Sequence, residues 1–109
     1  MKTTFFFIAL LVAEAFGGSA TLYKNTEFQG DALELNDNDN NCHNMPGWFN
    51  DRASSVNTHG GCIAMFKDGE CRNRRVIFKP GCSGGECCGS HNNFRACDFN
   101  DAASSYAFC

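Results

Sequence analysis

Two acidic turns recur in the chain. Phe49-Asn50-Asp51-Arg52-Ala53-Ser54-Ser55 returns fifty positions later as Phe99-Asn100-Asp101-Ala102-Ala103-Ser104-Ser105, with Arg52 against Ala102 as the one difference. Asp51 and Asp101 offer carboxylate oxygens, Ser54 and Ser104 offer hydroxyls, and the turn between exposes backbone carbonyls. Hard oxygens on a flexible loop are what Ca2+ takes, roughly six to eight at a time with water filling the gaps. A single Asp-x-x-Ser is equally an ordinary turn whose side chains bond nearby N–H groups and need no metal. Two copies, each behind a hairpin of its own, turn the expectation to calcium.

Other chemistry is sparse. The acidic run DNDNN (37–41) is not an EF-hand loop, because Cys42 and Trp48 stand where that loop needs Gly and Glu. His43, His59 and His91 lie in loop-like segments, and no Gly-x-Ser-x-Gly elbow occurs. Cys82, Cys87 and His91 carry a faint zinc spacing, but no second CxxC or HxxxH supports it. Catalysis is not expected. A net charge of −3, with one basic cluster at Arg72-Asn73-Arg74-Arg75, argues against nucleic acid. Arg74 and Arg75 precede apolar Val76-Ile77-Phe78 and read as a solvated strand edge.

The first twenty residues read as a secretory leader. Lys2 precedes the apolar run FFFIALLVAEAF (5–16), and Gly18-Ser19-Ala20 supplies small residues for cleavage after Ala20. Ala13-Glu14-Ala15 is the competing cleavage signal. The run is too short for a membrane span, and no later segment approaches one. A mature chain from Thr21 is one domain of 89 residues, small enough to need staples. All eight cysteines follow the leader, so a secreted chain with no free thiol is expected, the pairing left open except that adjacent Cys87 and Cys88 should take different partners. No N-x-[ST] acceptor occurs in the mature chain.

Strand-length apolar runs recur at 21–23, 32–35, 62–66, 75–78 and 105–109, separated by turn-forming stretches at 36–41, 57–61 and 81–93. No window keeps a helical period for more than a turn or two. Many short strands between turns argue an all-β sandwich or barrel. Trp48, Phe49, Phe94 and Phe99 flank the acidic turns and are expected in its core. The hairpin segment YKNTEFQG (23–30) aligns with FKDGECRN (66–73), with Glu fifth in both and Gly30 or Asn73 eighth. Gly and Asn tolerate positive φ, so both copies are expected to turn through a left-handed position. A period of roughly 45 residues, four short strands each, describes two Greek keys in one sandwich.

An aromatic-x4-Phe-x-Gly hairpin followed by Asn-Asp-x-x-Ser-Ser resembles the motif pair of the βγ-crystallins, over essentially the whole mature chain and in both motifs. The departures are Cys71 in the Phe position and Asn73 in the Gly position of the second hairpin. Cys71 suggests a disulfide in place of an aromatic contact. Eight cysteines are unlike the lens proteins and resemble small secreted microbial members. The resemblance implies a disulfide-stapled double Greek-key sandwich, the first key at about 21–61 and the second at about 62–109. It also implies two calcium sites that cross between motifs. One takes the Thr26 and Arg52 carbonyls, the Ser54 hydroxyl and the Asp101 carboxylate. The other takes the Gly69 and Ala102 carbonyls, the Ser104 hydroxyl and the Asp51 carboxylate. Asn50 and Asn100 sit beside them, and Ser55 and Ser105 support the turns.

Two functions follow as expectations. The first is a secreted calcium-binding protein with a structural or stress-protective role. The second is a secreted effector of the same fold: an antimicrobial or killer toxin acting on a cell-surface target, or an inhibitor of an extracellular protease. The insert at 81–93 is the one place long enough for a reactive loop.

Overall fold

The computed structural model describes residues 17–109, so the expected leader lies outside the described residues except for its last four. Seven strands run in chain order: β1 (Gly18–Asn25), β2 (Gln29–Asp37), β3 (His43–Asn44), β4 (Ser55–Asn57), β5 (Ile63–Asp68), β6 (Arg72–Phe78) and β7 (Ser105–Phe108). Short 3-10 turns occupy Gly47–Phe49, Gly69–Cys71 and Phe94–Cys97. The strands form two antiparallel sheets, ordered β2-β1-β4 and β3-β7-β5-β6. The fold is an all-β sandwich.

Strand β3 belongs to the first key by sequence but pairs with β7 of the second, His43 opposite Tyr106. The reverse exchange is made by irregular chain: Val56 N–H donates to the His91 carbonyl, and Phe94 N–H to that of Ser54, both at 2.9 Å. Each key therefore lends a segment to the other's sheet, the Greek-key return that locks two halves into one core. That core holds Leu22, Phe49, Val56, Ile63, Met65, Phe78, Phe94 and Phe99, all essentially without solvent contact. Phe78 and Phe94 stack with centroids 4.5 Å apart. Each buried Phe contributes about 2–3 kcal/mol of hydrophobic transfer.

Four disulfides close the structure: Cys42–Cys71, Cys62–Cys109, Cys82–Cys87 and Cys88–Cys97, leaving no free thiol. Cys87 and Cys88 take different partners, and Cys71 is bridged where the first hairpin carries Phe28. Four bridges fit an extracellular or otherwise oxidising environment. No helix among the described residues is long and apolar enough to cross a membrane.

One expectation needs correcting. Trp48 is 54% exposed, not core: it sits on the short Gly47–Phe49 turn, which aims Phe49 inward and Trp48 outward. Arg74 and Arg75 lie exposed on edge strand β6, as expected, and also make polar contacts. Arg74 donates to the Cys97 and Asp98 carbonyls and lies over Phe99, and Arg75 pairs with Glu86 at 2.7 Å. Strand β1 also opens at Gly18, three residues ahead of the expected domain start, with Ala20 fully buried.

Candidate functional site

The site begins with the hairpins. Each reverses through three left-handed residues at matching places: Glu27, Phe28 and Gly30 in the first, Glu70, Cys71 and Asn73 in the second. The expectation at Gly30 and Asn73 holds, and positions five and six join it. Left-handed backbone at Glu, Phe and Cys is strained and persists only where neighbours hold it. The second serine of each acidic turn does so. Ser55 Oγ donates to the Asn25 carbonyl at 2.7 Å and accepts from Phe28 N–H at 3.1 Å. Ser105 Oγ donates to the Asp68 carbonyl at 2.5 Å and accepts from Cys71 N–H at 2.8 Å. Both serines are fully buried.

The turns then interlock across the pseudo-twofold axis. Asp51 N–H donates to the Ala103 carbonyl and Asp101 N–H to the Ala53 carbonyl, each at 3.0 Å. Both aspartates are left-handed, at φ 59° and 56°, a conformation Asp tolerates better than most residues. This backbone swings each carboxylate over the other motif's serine. Ser54 Oγ donates to Asp101 Oδ1 at 3.4 Å, and Ser104 Oγ to Asp51 Oδ1 at 2.9 Å. Each motif's aspartate thus accepts a hydrogen bond from the other motif's serine.

The remaining sequence-derived residues fall as follows. Thr26 lines a cavity of about 390 Å3 together with Ser54, Asn100 and Asp101. Arg52 lines a neighbouring cavity of about 460 Å3 with Asn50, Asp51 and Asp101. Gly69 opens the turn of the second hairpin, where its carbonyl accepts from Arg72 Nε at 3.5 Å. Ala102 is half-buried against the core. Ser104 is anchored on both sides, its N–H donating to Phe66 and its carbonyl accepting from Met45, each at 2.9 Å.

The donor set fits a hard cation. Each Ser–Asp pair is joined by a hydrogen bond, at 3.4 and 2.9 Å, and presents oxygens of the hard kind that Ca2+ takes. Asn100 Oδ1 is buried with no hydrogen-bond partner, beside Ser54 and Asp101, and an unpaired buried acceptor is costly. With one carboxylate per turn, no cluster of three His, Cys, Asp or Glu side chains forms among the described residues.

No protein-family model matches the chain, and no curated protein matches it in sequence. Solved structures do match in shape. A βγ-crystallin from an archaeon superposes with TM-score 0.65 at 14% identity, over 86% of this chain and 99% of that one. A βγ-crystallin from Ciona intestinalis gives TM-score 0.64 at 23% identity, over 84% of this chain and 100% of that one. The chain has the βγ-crystallin fold. A third structure, solved to follow the evolution of the eye-lens βγ-crystallin domain, gives TM-score 0.62 at 24% identity, over 86% and 87%.

On this βγ-crystallin scaffold one turn carries a cation, Arg95, from outside the repeated motifs. Lys24 and Arg95 join Ser54 and Asp101 in lining one cavity, and Lys24 also lines the cavity beside Asp51 and Arg52. Lys24 pairs with Asp31 at 3.5 Å. The hairpin acids match across the repeat: Asn44 holds the N–H and carboxylate of Glu70, and Asn92 holds those of Glu27. The unpartnered Asn100 was suggested by its place in the repeat. Arg95 was not, because it lies outside both the hairpins and the acidic turns.

Proposed function

We propose that this is a secreted, calcium-binding βγ-crystallin-like protein whose bound ions reinforce a disulfide-stapled fold, in a structural or stress-protective role without catalysis. The crossed Ser54–Asp101 and Ser104–Asp51 pairs carry the reading. They bring hydroxyl and carboxylate oxygens from opposite motifs together at each turn, which supports a shared ion. Ca2+ supplies positive charge that the two carboxylates share with hydroxyls and carbonyls, tying the keys together. The Thr26, Arg52, Gly69 and Ala102 carbonyls would complete the protein ligands. The leader-like N terminus and four disulfides support secretion.

With one carboxylate in each site, affinity should be on the order of 10⁻⁵ to 10⁻³ M, the range of extracellular modules. Calorimetric titration of the oxidised protein tests this, with two binding events expected for Ca2+ and far weaker ones for Mg2+, which demands tight octahedral geometry. At about a hundred times Kd each independent site stabilises the fold by about 2.7 kcal/mol. The melting temperature should rise by about ten degrees or more. Superimposable melting curves with calcium and with chelator would reduce the turns to structural elements.

The protease-inhibitor alternative gains no support from the insert. Its tip runs through left-handed Gly84 and Gly85 between Cys82 and Cys87, and Glu86 is tied to Arg75. A segment presented to a protease cleft is extended, and this one is coiled. An antimicrobial role against a cell-surface target is tested by growth inhibition with purified protein.

A further inference from the structure

We propose that the leader is cut at the Ala15–Phe16 bond, so that the mature chain keeps Gly17–Ala20 as the opening of β1. The proposal rests on the secreted reading and goes beyond it. Three independent observations place residues 17–20 inside the domain.

The first is the internal repeat, which reaches further back than the hairpins. Gly17-Gly18-Ser19-Ala20-Thr21-Leu22-Tyr23-Lys24 aligns with Gly60-Gly61-Cys62-Ile63-Ala64-Met65-Phe66-Lys67, with identical Gly-Gly and Lys at its ends. The conformations repeat as well. Gly17 and Gly60 are both left-handed, at φ 109° and 82°, and Ala20 and Ile63 are both fully buried. A Cβ on Gly17 would stand 2.2 Å from the Asp37 carbonyl oxygen, so packing demands glycine there. The second is pairing. Gly18, Ser19 and Ala20 face Asp37, Asn36 and Leu35 in the β1–β2 register, and Gly17 N–H donates to Asn40 Oδ1 at 2.7 Å.

The third is a chain of side-chain hydrogen bonds that begins at Ser19. Thr21 Oγ1 donates its one hydrogen to Glu34 Oε2 at 2.8 Å. It therefore accepts from His59 Nε2, 2.9 Å away, and His59 Nδ1 hydrogen-bonds with Ser19 Oγ at 2.8 Å. This network clamps β1, β2 and the loop after β4 together.

A cut after Ala20 would remove the glycine turn, the Gly18–Ala20 pairing with β2 and the Ser19 end of this network. It would also empty the place of Ala20, which is fully buried, and put the charged N terminus at Thr21 within the strand. Leader removal precedes folding, so burial does not shield that bond; the difference lies in the product. Ala13 and Ala15 supply the small residues that a host signal peptidase reads at −3 and −1. In the step, water adds to the Ala15 carbonyl carbon, the C–N bond breaks, and the Phe16 amine leaves with a proton as the new N terminus.

The full chain, expressed in a secreting eukaryotic or bacterial host, should appear in the medium with Phe16 first by N-terminal sequencing and intact mass. Secreted protein beginning at Thr21 would overturn the cut alone. Chain retained in the cell with residues 1–15 attached would overturn the secreted reading and the cut together. Refolded protein starting at Phe16 should melt at least about 8 °C above protein starting at Thr21. Equal melting temperatures would mean that Gly17–Ala20 are dispensable and would remove the structural ground for the proposal.

Discussion

The two keys of the sandwich open on the same strand and fasten it differently. In the second, β5 is preceded by Cys62, whose disulfide to Cys109 joins the start of the strand to the end of the chain. In the first, the matching residue is Ser19, and the fastening is a hydrogen bond to His59 that passes through Thr21 to Glu34. All four disulfides involve cysteines of the second key, and only Cys42 comes from the first. A repeat thus dictates backbone and donors, while the stability of each copy is set by what its non-repeated positions acquired. A covalent bridge acts mainly on the unfolded chain. A polar clamp acts only while the folded geometry holds, at about 1 kcal/mol net per bond.

That contrast can be broken at its strong end first. Cys62→Ser with Cys109→Ser opens a loop spanning 47 residues. The expected loss is about 4 kcal/mol by chain entropy, a fall in melting temperature of at least about 15 °C. A drop of only a few degrees would mean that the second key is held by its packing. The clamp is next. His59→Ala should cost about 1 kcal/mol, lowering the melting temperature by about 4–8 °C. Ser19→Ala added to it should cost less than the sum of the two single changes. Additive costs would show that the two residues are not coupled.

The smallest effect concerns pH. His91 lends its carbonyl to Val56 and sets its ring edge-on to Phe78, 5.7 Å between centroids. Burial pushes its pKa below the ordinary 6.5, with a hydrogen bond to the Lys79 backbone opposing the shift. The unfolded chain therefore binds the proton more readily than the folded one. The contribution is fully present above about pH 6.5 and is lost as pH falls through the lowered value. Melting temperature measured from pH 7.5 down to 5 should fall less steeply in His91→Gln. An identical slope in the variant would assign the dependence to other groups.

Much of this architecture was legible in the sequence because it is written twice. Two hairpins and two Asn-Asp-x-x-Ser-Ser turns in matching order imply two keys, and their serines, aspartates and left-handed positions lie where the pattern puts them. What escaped depends on contact between distant segments. Strands β3 and β4 are two and three residues long, too short for any period, and exist because partners elsewhere complete them. Trp48 and Phe49 are adjacent aromatics with nothing local to say which one faces in. The residues Gly18-Ser19-Ala20 satisfy a peptidase and a β-strand equally well; only the partners Asp37, Asn36 and Leu35 decide between them. Of the two cations around Ser54, Lys24 belongs to the repeated hairpin, and Arg95 is brought there by the fold alone.

The central claim is that calcium is held across the keys, each aspartate serving the other motif's serine. Its most direct test is an anomalous difference map from crystals of Asp51→Ala grown with Ca2+, beside the unaltered protein. The account predicts two peaks in the unaltered protein, and in the variant a retained peak beside Ser54 and Asp101 with the peak beside Ser104 lost. A variant that loses the Ser54 peak instead, or keeps both unchanged, would contradict the crossed assignment.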